Sequence, residues 1–223
     1  VTNVAVDLTL VGDNGDNVIT DGDGADTLIG GAGNDRLIVH GGKGGSSESD
    51  TLTGGTGSDT FAIEGHAGND DHTVTITDYE ETDTIDLTGL TSGSFNPAVD
   101  FEVRNGSNND LRFDLDGSRT DGDGVAIIIE DAQDKLVDVK FSDPSDVTNP
   151  YNGFSSRLGL SKVGTINSTS TDGQVLLGGS QDQTINGGAG DDLIQGGIGS
   201  DIITTGAGAD TIVYRAGGGD SHG

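Results

Sequence analysis

Cysteine is missing from this chain altogether, and so are methionine and tryptophan. Without cysteine neither a disulfide nor a thiolate metal site can form. Aromatic residues make up only 4% of the sequence, which removes the usual stacking platform for sugars. Basic residues are scarce too: 10 Lys and Arg stand against 38 Asp and Glu, a formal charge of -28. That balance argues against nucleic acid and anionic membranes as partners. No apolar stretch approaches the roughly 18 residues of a membrane-spanning helix, so no membrane insertion is expected. Hydrophobic residues amount to 30% of 223, too few for a conventional core of that length. Catalytic motifs are lacking as well: there is no HExxH, no GxSxG, no phosphate-binding loop and no cysteine nucleophile. The chain is therefore not expected to be an enzyme, and bound ions must supply stability that apolar burial cannot.

What is abundant is glycine, 40 residues of it, and it falls in register with the acids. Gly30 to Ile38 reads GGAGNDRLI, a nonapeptide of the form G-G-x-G-x-D-x-U-x with U a large apolar residue. Gly12 to Thr20 (GDNGDNVIT), Asp21 to Ile29 (DGDGADTLI) and Gly54 to Ala62 (GGTGSDTFA) keep the spacing. A second array follows far downstream, from Gly178 through Gly187 (GGAGDDLIQ) and Gly196 (GGIGSDIIT) to Val213. Disorder would not maintain an apolar residue at position eight in register.

The spacing has a physical reason. Glycines at positions one, two and four let the backbone turn sharply with positive φ. A tight turn points peptide carbonyls inward, and the Asp at position six adds a carboxylate, so hard oxygens converge, which suits calcium rather than a transition metal. Positions seven to nine make a very short strand whose middle residue points inward. Leu28, Leu37, Leu52, Phe61, Ile185, Ile194, Ile203 and Ile212 are the expected narrow core.

Two nonapeptides make one coil, so turns on one edge recur every second repeat. Asn17, Asp35 and Asp59 should share an edge, with Asp26, Asp50 and Asp70 on the other. In the second array Gln174, Asp192 and Asp210 share an edge, opposite Gln183, Asp201 and Asp220. The turn carbonyls expected to join them belong to Gly31, Gly33, Gly55, Gly57, Gly188, Gly190, Gly197 and Gly199. Rungs about 4.8 Å apart bring bare carboxylates into repulsion of roughly 3–4 kcal/mol at an effective dielectric near 20. Several calcium ions are therefore expected as part of the fold. Asn17 keeps an oxygen donor but loses the charge, so its outermost site should be weaker.

These nonapeptides resemble the RTX (hemolysin-type calcium-binding) family, whose tracts form calcium-loaded parallel β-rolls. The passage from Thr73 to Asp78, with Asp83 to Leu87, is similar to the closing segment of rolls in secreted proteases, lipases and epimerase modules. The resemblance implies an all-β fold: a parallel β-roll with an antiparallel cap, then a spacer and a second roll. It also implies folding on calcium outside the cell, commonly after type I secretion from a Gram-negative bacterium. Extracellular calcium modules work at about 10⁻⁴–10⁻³ M.

The expected organisation is a first roll with its leading strand over 1–62 and a β-rich cap over 63–147. A linker or leading cover over 148–172 and an incomplete second roll over 173–223 complete it. Residues Gly45 to Glu48 stretch one repeat and should loop out, distorting the Asp50 site. Expected cap strands are Phe101 to Val103, Leu111 to Leu115, Val125 to Glu130 and Leu136 to Phe141, with a hairpin turn at Asp116 to Gly124. Asp121 to Gly124 lacks the full EF-hand spacing and reads as a turn. The histidines His40, His66, His72 and His222 read as surface-loop residues. The bounds at Val1 and Gly223, inside a repeat, lead to the expectation of a segment of a longer chain.

The order roll, cap, spacer, roll suggests a structural module of a large secreted or cell-surface protein: a filament, S-layer or adhesin. Its partners would be calcium and like modules, by head-to-tail self-association. The alternative is the tail of a secreted hydrolase or polysaccharide epimerase. Direct polysaccharide binding, with calcium bridging hydroxyls, is a third reading.

Overall fold

The computed structural model describes residues 6–40, 48–64, 72–89, 102–105, 110–114, 125–132, 135, 137–140, 154–161, 164–168, 171–179 and 181–214. Short strands alternate between two sheets as the nonapeptide demands, because each repeat supplies one turn and one three-residue apolar-centred strand. β1 (Thr9–Val11), β3 (Thr27–Ala32), β5 (Glu48–Thr56) and β7 (His72–Ile76) lie in one sheet. β2 (Val18–Thr20), β4 (Arg36–His40), β6 (Thr60–Glu64) and β8 (Thr84–Asp86) lie in the other. Neighbours in each sheet are parallel. The coil advances 18 residues from Asn17 to Asp35 and 24 from Asp35 to Asp59 and from Asp59 to Asp83.

The winding does not stop at Ala62, where the cap was expected to take over. β11 (Val125–Ile129) adds to β7 and β12 (Val137–Lys140) adds to β8, both in parallel. Antiparallel pairing enters only with β9 (Glu102–Asn105) and β10 (Leu111–Asp114), which fold onto β11. Tyr79 holds this join. Its buried hydroxyl donates to the Asp83 carbonyl (3.1 Å) and accepts the Asp138 N–H (2.9 Å), while Lys135 Nζ donates to its carbonyl at 2.5 Å.

The segment expected as linker contains β13 (Phe154–Ser161) and β14 (Gly164–Asn167). β13 pairs antiparallel with β12 on one side and parallel with β15 (Gly173–Gly178) on the other. One sheet therefore runs from β2 through β12 and β13 to β17 (Leu193–Gln195) and β19 (Thr211–Ile212). β14, β16 (Gln183–Asn186) and β18 (Ile202–Thr204) form a small third sheet across the second coil.

The position-eight residues Leu28, Leu37, Leu52, Phe61, Ile185 and Ile194 are fully buried. Ile203 is only half-buried, and Ile212, on the edge strand β19, is 54% exposed, because among the described residues no further rung covers that end. β15 and β17 depart from the one-sided expectation. Leu176 and Ile194 point into the small core with Ile166 and Ile185, whereas Val175, Leu177 and Leu193 join the large core of the first coil. A parallel strand buried on both faces reads as a continuous apolar run, as Val175-Leu176-Leu177 does.

Asp70, Asp220, Gly45 to Ser47 of the expected insertion and the hairpin turn 116–124 lie outside the described residues, whereas Glu48, expected in that loop, opens β5. Leu37→Ala should cost about 2–5 kcal/mol in calcium-saturated protein, from lost burial plus a cavity. Ile212→Ala should stay within about 0.5 kcal/mol. Urea unfolding of the two variants checks this, and equal losses would place the stabilising core elsewhere.

Candidate metal centres along the turn edges

The turns leading β1 into β2, β3 into β4, β5 into β6 and β7 into β8 stack along one edge, and a ladder of side chain to backbone bonds joins them. At position six, the Asn17 N–H donates to Asp35 Oδ1 (2.7 Å), the Asp35 N–H to Asp59 Oδ1 (2.8 Å) and the Asp59 N–H to Asp83 Oδ1 (2.9 Å). The second coil repeats the pattern. Gln174 donates to Asp192, Asp192 to Asp210, and Gln183 to Asp201, all at 2.8–3.0 Å. These columns are the ones the spacing implies, with Asp83 as an added member. No glycine precedes Asp83, so its nonapeptide is unreadable. Only its distance of 24 residues from Asp59, equal to that from Asp35 to Asp59, marks it.

A second ladder, unseen in the sequence reading, runs in the opposite sense at position five. Asp16, Asn34, Asp182 and Asp191 each accept the N–H of the position-five residue one rung on: Asn34, Ser58, Ser200 and Ala209, at 2.7–2.9 Å. Adjacent rungs thus clasp each other reciprocally. Asp7 and Leu8 take part as well, Asp7 accepting from Ala25 and Leu8 donating to Asp26, so the leading segment is itself a degenerate repeat.

Each position-six carboxylate spends one oxygen on the ladder. The second oxygen of Asp35 and of Asp192 is buried and has no hydrogen-bond partner. A Cβ built on Gly30 would lie 2.4 Å from Asp35 Oδ2 and 2.5 Å from the Gly54 carbonyl oxygen. On Gly187 it would lie 2.6 Å from Asp192 Oδ2 and 2.2 Å from the Thr205 carbonyl oxygen. A carboxylate of one rung and a carbonyl of the next therefore converge on a space kept clear by a glycine. The oxygen-only donor set and the orphaned buried atoms fit calcium. When bound, that ion supplies the positive charge the column lacks.

The glycines expected to shape the turns, Gly31, Gly33, Gly55, Gly57, Gly188, Gly190, Gly197 and Gly199, all have φ between +89° and +147°. Gly55 shows the requirement most clearly. Its φ is +100°, and a Cβ there would stand 1.9 Å from the Gly31 carbonyl oxygen.

Electrostatics point the same way. Burial pushes the carboxyls of Asp59, Asp83 and Asp192 above the ordinary range, only partly offset by the N–H groups they accept. Neighbouring carboxylates add to the rise: Asp35 and Asp78 at Asp59, Asp210 and Asp191 at Asp192. A group with a raised folded-state pKa contributes stability below its unfolded value and loses it as pH rises through the folded value. At neutral pH the metal-free column is thus held against its own charge.

The column closes at Asp83. Both its oxygens have partners, the Asp59 and Glu80 N–H groups. Asp78, standing where a glycine would open another turn, accepts the Gly54 and Gly55 N–H groups at 2.9 and 2.7 Å. On the outer face Arg36 bridges Glu64 (3.1 Å) and Asp86 (3.0 Å) across successive rungs. Burial acts to raise Asp86, but Thr88, Arg36 and Lys140 outweigh it and hold the carboxyl below the ordinary range.

The opposite edge departs from expectation. Asp26 and Asp50 are stacked as the spacing implies, the Asp26 N–H donating to Asp50 Oδ1 at 2.7 Å, so the inserted loop leaves that contact intact. The register then pairs Asp50 with Val74, not with Asp70. His72 is not a surface-loop residue: it is 1% exposed, and its Nε2 lies 2.7 Å from Asp50 Oδ2.

A parallel roll with oxygen-lined turns defines a class of calcium-binding repeat protein, and comparison with known proteins gives the family. The RTX calcium-binding nonapeptide repeat matches residues 9–37, 44–71 and 177–212, in four copies. Those segments are RTX repeats, and calcium is the ion they bind. The solution structure of the AlgE6R3 subunit from the Azotobacter vinelandii mannuronan C5-epimerase is similar at 27% identity, with a TM-score of 0.41. That match covers 58% of this chain and 74% of the subunit. The AlgE6R2 subunit of the same enzyme is similar at 19% identity and a TM-score of 0.23, covering 54% of this chain and 83% of that one. No curated protein matches the chain.

Asp35→Ala removes the carboxylate that accepts the Asn17 N–H and carries the orphaned Oδ2, and should raise the calcium midpoint of folding more than Asn17→Ala at the end of the column. Each site lost at ten times its dissociation constant removes about 1.4 kcal/mol. Circular dichroism during calcium titration measures this, and equal midpoints would contradict the assignment of the orphaned oxygen.

Proposed function

We propose that the chain is a non-catalytic, calcium-dependent structural module of a large extracellular RTX protein, and that its coil ends associate with like coils. The single observation that carries this reading is the state of those ends. Among the described residues β1 and β2 are the edge strands at one end, and Val11 in β1 and Val18 in β2 are 66% and 71% exposed. β18 and β19 are the edge strands at the other, with Ile202, Ile212 and Tyr214 exposed. All four pair in parallel on their inner side, so a like rung would continue each ladder. Such edges are templates for further pairing. A heterologous end-to-end contact propagates into a fibre rather than closing.

The commitment of the buried acids supports the non-catalytic part. Asp35, Asp59 and Asp192 each commit one carboxylate oxygen to a rung ladder, a structural task repeated along the column. The need for a cation at neutral pH supports export before folding, since extracellular calcium modules load at about 10⁻⁴–10⁻³ M.

Light scattering of the purified chain during calcium addition, with electron microscopy of the product, tests the reading. The expected result is mass growth that follows folding and is abolished by Val18→Lys or Ile202→Lys with sheet content unchanged. A chain that folds in calcium yet stays monomeric at about 100 μM would contradict self-association and favour the tail of a secreted enzyme.

A further inference from the structure

On the edge bearing Asp26 and Asp50, the ion that the family binds and the residues present do not agree. Both aspartates stand at position six, stacked across a gap as Asp35 and Asp59 are on the other edge, and so are expected as calcium ligands. A third carboxylate joins them. Asp21 opens the repeat of Asp26, where glycines, Gly30 and Gly187, open the repeats of Asp35 and Asp192. One oxygen from each of Asp21, Asp26 and Asp50 lies within 4.8 Å of the others.

The first difference from the Asp35 edge is in how the oxygens are used. Asp21 Oδ2 accepts the His40 N–H and its Oδ1 meets His40 Nδ1, both at 2.8 Å. Asp26 Oδ1 accepts the Leu8 N–H at 2.7 Å, and Oδ2 accepts the Gly22 N–H at 2.9 Å. Asp50 Oδ1 accepts the Asp26 N–H and Oδ2 meets His72 Nε2, both at 2.7 Å. An imidazole nitrogen this close to an ionised carboxylate carries the proton. Every oxygen of the three carboxylates is therefore engaged by the protein, whereas Asp35 Oδ2 and Asp192 Oδ2 are buried without a partner.

The second difference is steric. On the other edge a glycine clears the gap, since a Cβ on Gly30 would lie 2.4 Å from Asp35 Oδ2. In the repeat of Asp26 the same position carries a Cβ and a carboxylate that is 1% exposed. Calcium takes six to eight oxygens. To collect them here it would have to draw Asp50 away from His72, in a pair whose side chains are both 1% exposed. Buried donors stripped of their acceptors are costly.

We propose that this edge of the first coil is calcium-free, and that Asp21, His40 and His72 take over the ion's task there. They fill the gap and, with the backbone N–H groups, supply the hydrogens that let stacked carboxylates be buried. The first coil thus loads calcium along the Asp35 edge alone, although the matched repeats span Asp26 and Asp50 as well. This asymmetry does not depend on self-association.

The test is a crystal structure of the full chain saturated with calcium, the ions being located by their anomalous scattering at long wavelength. Ions beside Asp35 Oδ2 and Asp192 Oδ2, with none in contact with Asp21, Asp26 or Asp50, are the expected result. A calcium ion bound by any of those three overturns the proposal. An empty Asp35 edge overturns it too, because loading of that edge is part of the claim. Calorimetric calcium titration of two variants gives a second reading. Asp35→Asn should lose at least one equivalent. Asp50→Asn should keep the full number, since its amide can still accept the Asp26 N–H and donate to a His72 ring that moves its proton to Nδ1. Loss of an equivalent in folded Asp50→Asn contradicts the assignment. If that variant does not fold, the anomalous map of the unaltered chain decides.

Discussion

Successive rungs of this coil are tied by aspartates that bond across the gap with one oxygen, and at Asp35 and Asp192 the other is left buried and unspent. The bonded oxygen takes a backbone N–H from the neighbouring rung, which fixes the stacking distance and the register. The remaining oxygen is thereby delivered, with no choice of rotamer, into the gap between turns, beside a carbonyl of the following rung. Burying it unpaired is costly, and repeating it along a column makes the cost cumulative. One constraint thus explains the glycines that clear the gap, the raised carboxyl pKa values and the thinness of the core. A coil whose walls are only two short strands apart cannot bury enough apolar surface to outweigh that charge.

The position-five ladder shows how the same economy works without a metal. Asp16, Asn34, Asp182 and Asp191 accept N–H groups in the reverse direction across the same gaps, and they do so near solvent, where charge is tolerated. Each gap is therefore clasped from both sides. Where the coil must end, the devices change. Asp78 occupies the place of a turn glycine and uses its carboxylate to quench two N–H groups, and Glu80 satisfies the last oxygen of Asp83. Tyr79, between them, anchors β12, the strand laid on β8.

The first array was legible almost completely, because position eight and position six recur with a period that only a coil explains. Leu37 and Asp35 sit where spacing alone puts them. Asp83 escaped because its glycines are gone and only the interval of 24 residues to Asp59 remains. The position-five acceptors were present in the sequence, but a variable position carries no signal until rungs are stacked. His72 was misread for a related reason. Its burial comes from strands 24 and 53 residues away in the chain, Glu48 and Val125 being its register partners, and no local pattern encodes that. The continuous sheet from β2 to β19 was equally hidden, since the antiparallel step from β12 to β13 lies in a stretch of Ser, Thr and Asn that reads as spacer.

The account stands or falls on whether the cation belongs to the fold. Far-ultraviolet circular dichroism with thermal melting, in calcium and then in excess chelator at equal ionic strength, addresses this directly. Loss of the sheet signal and of the cooperative melt in chelator, both restored by calcium, is the expected result. A chelated chain that kept its sheet content and its melting temperature would show that the rungs cohere without the ion.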